Sequence, residues 1–494
     1  MTTSTKGVLD ATTTGTTLAS GRLRVWDIVF FVVSAAAPLT VVVSAAPAAF
    51  RLGGIGAPGA MIFAAVVLIL FALGFTAMST HVRNAGAFYA YVGKGLGKPA
   101  GIGIAFVTVL AYAVLAIAFY GFIGFFAQLT AVNLLGLDVP WWVWALASVG
   151  VVALLGARKI DVGAKVLAVL LGAEVLILLI LTVAILITGG PEPASALPFS
   201  PAAVFGAPGV AALIVIAFGA FLGFEGTAIY AEEAHRPEKT VPRATYIAVA
   251  FLGVFYAFTF WILTYAFGID GVLALAQSDD FTEMVFIAGD QYLGAWAGVA
   301  MQVLIVTSFF ACVLAFHNAT SRYLFSLGRE GLLPRALART GQATGSPYVA
   351  SFAMAALAAL AVVVAAVLGA DPYLQLAIWT YAVGVAGVIF AQAVAAISAV
   401  AFFAKDRRGH SVWRVIVAPA FGALGLIVAF CLVTANFEIV SGFTGPINWL
   451  LLLPTPVLFV AGIVVGFVLR RRAPKTYEGL TQSIPIIEEE PSQP

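Results

Sequence analysis

The chain has 494 residues, of which 62% are hydrophobic and only 10% charged. A soluble domain carries about 25% charged residues, so this chain lacks the charge to cover a surface in water; a soluble enzyme, a nucleic-acid binder and a disordered chain are excluded. Lys+Arg 25 against Asp+Glu 23 leaves a net charge of +2, which by itself implies no acidic partner. Cys312 and Cys431 both lie in apolar runs, giving neither a disulfide framework nor a metal spacing. What remains is an all-α polytopic membrane protein with the lipid bilayer around it.

A spanning helix needs about 20 mostly apolar residues. Twelve segments qualify in chain order: 27–49, 58–80, 99–130, 141–157, 163–188, 208–234, 244–268, 294–326, 348–369, 372–403, 413–434 and 449–470. The fourth is the shortest and opens on Trp141, Trp142 and Trp144, a cluster suited to the membrane interface. Residues 1–21 are Thr-rich and polar and read as a disordered cytoplasmic tail without a cleavable signal. Residues 474–494, with Glu488–Glu490 and no periodicity, read as a second such tail. With both ends placed inside, every Lys and Arg except Arg51 falls in a cytoplasmic segment or span end. The positive-inside rule then orients the chain in the cell membrane with both termini cytoplasmic. The outer segment 270–292 carries Asp270, Asp279, Asp280, Glu283 and Asp290 and no base.

Two spans carry residues that do not sustain a helix. The first has Ser34-Ala-Ala-Ala-Pro38 near its middle, and Pro38 removes a donor and clashes one turn back. The sixth has Gly219, Gly223 and Gly226 within eight residues. Either could be a simple kink or a close helix crossing. Each break opens a block of five spans, however, and that pattern points to an inverted-repeat transporter with its site at the midplane.

Longer motifs name a family. The run Phe218-Gly-Ala-Phe-Leu-Gly-Phe-Glu-Gly-Thr-Ala-Ile-Tyr-Ala-Glu-Glu-Ala-His-Arg-Pro-Glu-Lys-Thr-Val-Pro-Arg243 resembles the sixth helix and following loop of the amino acid–polyamine–organocation (APC) permeases. Thr320-Ser-Arg-Tyr-Leu-Phe-Ser-Leu-Gly-Arg-Glu-Gly-Leu-Leu-Pro334 resembles the end of their eighth helix, Asn84-Ala-Gly-Ala-Phe-Tyr-Ala-Tyr91 the segment before their third, and Trp26-Asp27 the start of their first. The similarity covers about residues 22–470. It implies twelve transmembrane helices: a LeuT-like, five-plus-five inverted repeat with helices 1 and 6 broken (core 22–403, repeats about 22–190 and 200–403), followed by helices 11 and 12 in 404–473. It also implies secondary transport of an amino acid, coupled to protons or to exchange, without a cofactor.

The resemblance places the substrate at the two breaks. In these permeases a Gly-Thr-Gly run in helix 1 offers backbone amides to the substrate carboxylate. Here that run falls on Pro38-Leu39-Thr40, preceded by Ala37, and Pro38 has no N–H, leaving Leu39, Thr40 and, as a further polar group, Ser34. In helix 6 the carbonyls of Phe218, Ala220 and Leu222, around Gly219, would meet the ammonium, with Phe218 or Phe221 closing over it. Tyr112 and Trp379, with Tyr381, could shape the side-chain pocket; ordinary core packing is the plainer alternative. Two carboxylates lie within spans, and an intramembrane ionisable group is a functional candidate by default. Glu225 stands where the family has Asp or Glu, and a structural, gating or proton-coupling role is open. Glu174 stands where many relatives have Lys; a protonation site, a partner for a cation, and a packing residue bonded to Ser or Thr within the bundle are all open. Thr307 and Ser308 lie where related folds place sodium, and His317 reads as a packing residue. Glu232, Glu233 and Arg236 fall at the inner mouth, where ion pairs could hold a gate. Loss of Gly-Thr-Gly together with the two extra carboxylates also fits an amine substrate such as putrescine or ethanolamine. A channel is disfavoured by the broken helices and the lack of repeated polar rings. A membrane enzyme is disfavoured because no span end carries a catalytic constellation.

Overall fold

The structure is a computed structural model that describes residues 17–481; Glu488–Glu490 and most of the N-terminal tail lie outside these residues. The described residues are helical, with no β-strand beyond one isolated bridge, Leu23 to Ala234. Ten helical stretches are long and apolar enough to cross a membrane, so the chain is a multi-pass membrane protein. Two of the twelve expected segments fail to count separately, for simple reasons. The first two merge into one stretch, Val25–Ser79, because only the Gly53–Gly56 turn parts them. Trp141–Gly156 is apolar but short.

The principal helices are α1 (Val25–Ala36), α2 (Ala57–Ser79), α3 (Lys98–Leu135), α4 (Trp141–Gly156), α5 (Ile160–Thr188), α6 (Val210–Gly219), α7 (Pro237–Phe267), α8 (Ala295–Arg329), α9 (Tyr348–Val367), α10 (Trp379–Lys405), α11 (Ala418–Ala435) and α12 (Pro454–Arg472). Helix α3 runs through the centre, packed on α8, α10 and α12; α2 packs on α7 and α11; α1 lies among α5, α7 and α8. Small residues set these approaches. A Cβ on Gly462 would lie 2.5 Å from Gly103 Cα, and one on Gly422 would lie 2.5 Å from the Phe71 amide nitrogen, the close packing that apolar helices need where lipid supplies no hydrophobic drive.

Both breaks expected from sequence are present. Helix α1 starts with the Asp27 carboxylate accepting the Arg24 N–H at 2.8 Å. It stops at Ala37, which is left-handed at φ 43°. Pro38 explains the stop: its ring bars residue 37 from the right-handed helical region, and Pro38 then sits at the first position of the next helical piece, where its missing N–H costs nothing. The chain continues through a π-helical turn, Val41–Ala45, to Ala46–Gly53. Helix α6 ends at Gly219, turns through Ala220–Gly223, and resumes as a 3-10 helix over Phe224–Glu232. Gly223 has φ 105°, and a Cβ there would lie 2.5 Å from the Ala35 Cβ. The two breaks therefore touch.

The expected C-terminal tail does not hold for its described part. Pro474–Gly479 form a short helix, and Leu480 and Thr481 are buried, because they fill a groove that the polar composition of the segment conceals. Leu18, in the N-terminal tail, is likewise buried, against Ala85, Phe325, Ala338 and Ala350.

Elsewhere at the same end, the His81 and His410 rings meet with Nε2 atoms 3.2 Å apart. Burial, then Arg408 and His410, lower the pKa of His81, and burial with Arg414 lowers that of His410. The fold therefore prefers both rings neutral, and the unfolded chain binds more protons as the pH falls through the ordinary histidine value of 6.5. The melting temperature should fall on acidification below 6.5, and a His81→Gln, His410→Gln variant should show a flatter decline; equal slopes would refute this. Gly223→Ala should cost about 1–3 kcal/mol from the left-handed backbone alone, with the clash at Ala35 in addition. Its melting temperature in detergent should drop by several degrees.

Candidate functional site

A cavity of about 260 Å³ lies where the two breaks meet. Ala35, Ala36, Ala37, Thr40 and Ser44 line it from the first break, and Gly219, Ala220 and Leu222 from the second. Phe119, Phe122, Phe126, Phe309, Tyr373 and Tyr381 form an aromatic wall opposite. The rings brace one another: Phe122 stacks on Phe309 at 5.0 Å and Phe126 stacks on Phe309 at 5.1 Å. No lining residue is charged. Ser44 on the wall is exposed, so the cavity is open on that side.

The breaks supply backbone groups to this space unevenly. Val41 N–H already bonds the Ala37 carbonyl at 3.0 Å. Of the amides ahead of it, Pro38 has none and Leu39 N–H donates to Glu174 Oε2 at 3.4 Å. On the same side the Cys312 thiol bonds the Ala35 carbonyl at 3.5 Å and the Tyr256 hydroxyl bonds the Ala36 carbonyl at 3.0 Å. In the second break the Phe218 carbonyl accepts the Phe221 N–H and the Gly219 carbonyl the Leu222 N–H, both at 3.3 Å. No backbone amide of this turn donates to the Ala220 or Leu222 carbonyl.

Glu174, on α5, is fully buried behind the cavity. Its Oε2 accepts Ser308 Oγ at 2.9 Å as well as the Leu39 amide, Ser308 Oγ lies 2.9 Å from Thr40 Oγ1, and its Oε1 has no partner. Glu225 is a different case. Its carboxylate receives the Tyr112 hydroxyl at 2.9 Å, the Gly223 amide at 3.1 Å and the Gln392 amide at 3.1 Å. With these three donors the carboxylate ties the second break to α3 and α10.

Several expectations need correction in place. Phe218 and Phe221 do not line the cavity: Phe221 packs on Tyr256 at 5.8 Å and Phe218 on Phe63 at 6.5 Å, on the far side of the turn. The Phe218 carbonyl is engaged rather than free. Ser34, Pro38 and Leu39 stand behind the lining, and Ser34 Oγ is buried without a partner. Tyr112 serves Glu225, and Trp379 packs on Phe443 at 5.2 Å, so Tyr381 is the aromatic of that helix that reaches the cavity. Thr307 bonds its own helix at Leu304 while Ser308 joins Glu174. His317 bonds Ser351 at 2.8 Å. Sequence reasoning missed the wall. Phe119, Phe122 and Phe126 recur at helical spacing, but in an apolar helix that pattern does not tell a cavity from lipid.

The end of the site away from Ser44 is shut. A second gap, lined by Phe31, Ala35, Tyr112, Tyr230, Phe316 and Ala319 among others, steps from the cavity toward Arg322. Tyr230 closes it, stacked on Phe31 at 4.7 Å and with the Arg322 guanidinium 5.1 Å from its ring. Arg322 donates to Glu233 through Nε at 2.5 Å and Nη2 at 3.1 Å, and to the Asn318 carbonyl at 3.0 Å. Arg329 pairs with Glu232 at 2.6 and 2.8 Å, and Glu232 also accepts the Ala85 N–H at 2.7 Å. Leu23 and Ala234 bridge beside them. Glu232 and Glu233 thus pair as expected at this mouth, but with α8 rather than with Arg236. Removing one member of a buried pair costs about 3–5 kcal/mol by leaving the other charge uncompensated. Glu233→Ala should be destabilised on that scale, and Glu233→Ala with Arg322→Met should recover much of the loss in thermal unfolding.

Residues 23–464 match the amino acid permease family. The chain is 22% identical over 284 residues to the low-affinity putrescine importer PlaP of Escherichia coli, covering 56% of this chain and 60% of that one. It is 27% identical over 320 residues to the branched-chain amino acid permease BcaP of Lactococcus lactis, covering 59% and 64%. It is 29% identical over 353 residues to the uncharacterized transporter Rv1979c of Mycobacterium tuberculosis, covering 64% and 66%. The matches therefore span about 60–66% of the length of these three relatives. These relatives are transporters by name, not enzymes. With nearly its whole length matched, the chain belongs to the amino acid permease family.

Proposed function

We propose that the protein is a secondary active transporter that carries an amino acid with an apolar side chain across the cytoplasmic membrane by alternating access, coupled to protons through Glu174. The observation that carries this reading is the cavity between the two helix breaks, with backbone groups on one side, an uncharged aromatic wall on the other and one buried carboxylate behind it. The free Ala220 and Leu222 carbonyls suit an ammonium. The amides at the start of the second piece of helix 1 suit a carboxylate. The twelve-helix, five-plus-five inverted repeat with both termini cytoplasmic is part of the proposal, supported by the paired breaks and by the Lys and Arg distribution. In that orientation the closed end is cytoplasmic and the cavity opens outward past Ser44.

Glu174 supplies the coupling through competition. Its ionised Oε2 holds the Leu39 N–H just behind the cavity wall, and Pro38 leaves few other amides for the substrate carboxylate. A proton on Glu174 removes the competing charge, so proton and substrate enter together. Ser308 and Thr40 pass the change to the cavity wall.

A second reading, an amine carrier, draws on the absent N–H of Pro38 and the unpartnered Glu174 Oε1. The uncharged lining weighs against it, since a diamine wants a carboxylate at each end.

A melting screen of the purified protein against the amino acids, putrescine, spermidine and ethanolamine tests the substrate class. A ligand of the native state at a hundredfold excess over its Kd adds about 2.7 kcal/mol, so leucine-like or aromatic amino acids should raise the melt while the amines do not. A shift with the amines alone overturns the reading. Glu174→Gln keeps an acceptor for Leu39 but cannot titrate. It should retain substrate exchange and lose proton-driven accumulation in proteoliposomes; unchanged accumulation would remove Glu174 from the coupling.

A further inference from the structure

The segment after α12 makes contacts that a transport cycle does not require. Pro474–Gly479 turn back under the bundle, where the Lys98 ammonium donates to the Tyr477 and Glu478 carbonyls at 2.8 and 2.9 Å. Leu480 then buries itself among Tyr89, Ile102, Ala105 and Leu327. Thr481 presses on Gly93, where an added Cβ would lie 2.5 Å from Thr481 Cγ2. The Thr481 N–H donates to Glu330 Oε2 at 2.7 Å.

Glu330 is a junction. The same carboxylate accepts the Tyr89 hydroxyl at 2.5 Å and the Asn84 amide at 2.7 Å. Asn84 precedes Ala85, whose N–H holds Glu232, and Glu232 holds Arg329, the residue before Glu330. The seat of the C-terminal segment and the outer ion pair of the closed mouth are therefore two sides of one network. The chain between them is short and hydrogen-bonded at each step.

We propose that the C-terminal segment 474–481 is a strap that holds the closed mouth shut by fixing Glu330, and that its release favours opening of that end. With the strap seated, Glu330 takes donors from Thr481, Tyr89 and Asn84 and keeps the Ala85 N–H aimed at Glu232. With it withdrawn, the Glu330 carboxylate loses the Thr481 amide, water enters the Leu480 groove, and the 84–91 segment loses the surface it rests on. Thr481 lies at the mouth itself, so a partner or a modification on the chain beyond it can pull on the strap without touching the transport site. The inference rests on the proposed transport reading only for the name of the face; the closure itself is independent of substrate.

The test uses a Cys312→Ser, Cys431→Ser background carrying Ala319→Cys, a position in the gap between the cavity and Arg322. The full-length chain reconstituted in vesicles is compared with one ending at Gly479 and one ending at Thr481. A membrane-impermeant thiol reagent is applied from each face. Removal from Leu480 onward should raise labelling several-fold from the arginine-rich face, and removal after Thr481 should leave it unchanged. Leu480→Asp in the full-length chain should act like the shorter truncation, and it serves if the truncated chain does not fold. Equal labelling in all three chains overturns the strap, as does an equal rise in both truncations. Failure of the transport reading would instead appear as no ligand-induced rise in the melt of the chain with its own cysteines, with the truncation effect intact.

Discussion

The close approach of Gly223 to Ala35 is the constraint on which the rest of the architecture hangs. Two interrupted helices meet at their interruptions, and neither interruption could sit in lipid, where free amides and carbonyls go unsatisfied. Each therefore needs the other, and both need the helices around them. Tyr256 from α7, Cys312 from α8 and Glu174 from α5 each reach in to satisfy a group of the first break. Glu225, itself held by Tyr112 and Gln392, accepts the Gly223 amide of the second. The groups left over face the cavity, so the cavity is defined as much by what the scaffold has already satisfied as by the space it leaves.

The fold was largely legible in the chain, because long apolar runs and misplaced Pro and Gly are strong local signals. Pro38 and the Gly219–Gly226 run each marked a true interruption. The site was only partly legible. Ala37, Thr40, Gly219, Ala220 and Leu222 follow from the interruptions, since a broken backbone presents its own atoms. The aromatic wall does not follow, because hydrophobic periodicity in a membrane helix carries no record of what the residue faces. Phe218 and Phe221, beside the glycines, support the turn from behind. Arg322 stood in a recognisable motif, yet its burial with Glu233 depends on a contact across 89 residues that no local pattern encodes.

Charge is distributed with economy. The cavity has none in its lining, the breaks are braced by carboxylates that are themselves hydrogen-bonded, and the formal ion pairs cluster at one mouth. A buried pair such as Arg322–Glu233 adds little net stability but is costly to break unpaired. On the proposed reading that suits it to an element with two positions, while its surface neighbour Arg83–Glu238 contributes little either way.

The uneven use of carbonyls has a stereochemical consequence. In the first break the Ala35 and Ala36 carbonyls are already taken, so on the proposed reading an ammonium leans to the Ala220 and Leu222 side while a carboxylate leans to Thr40. The aromatic wall takes the third substituent. On that reading, three different attachments in three directions make a handed receptor, two of whose sides are built from the backbone of the breaks.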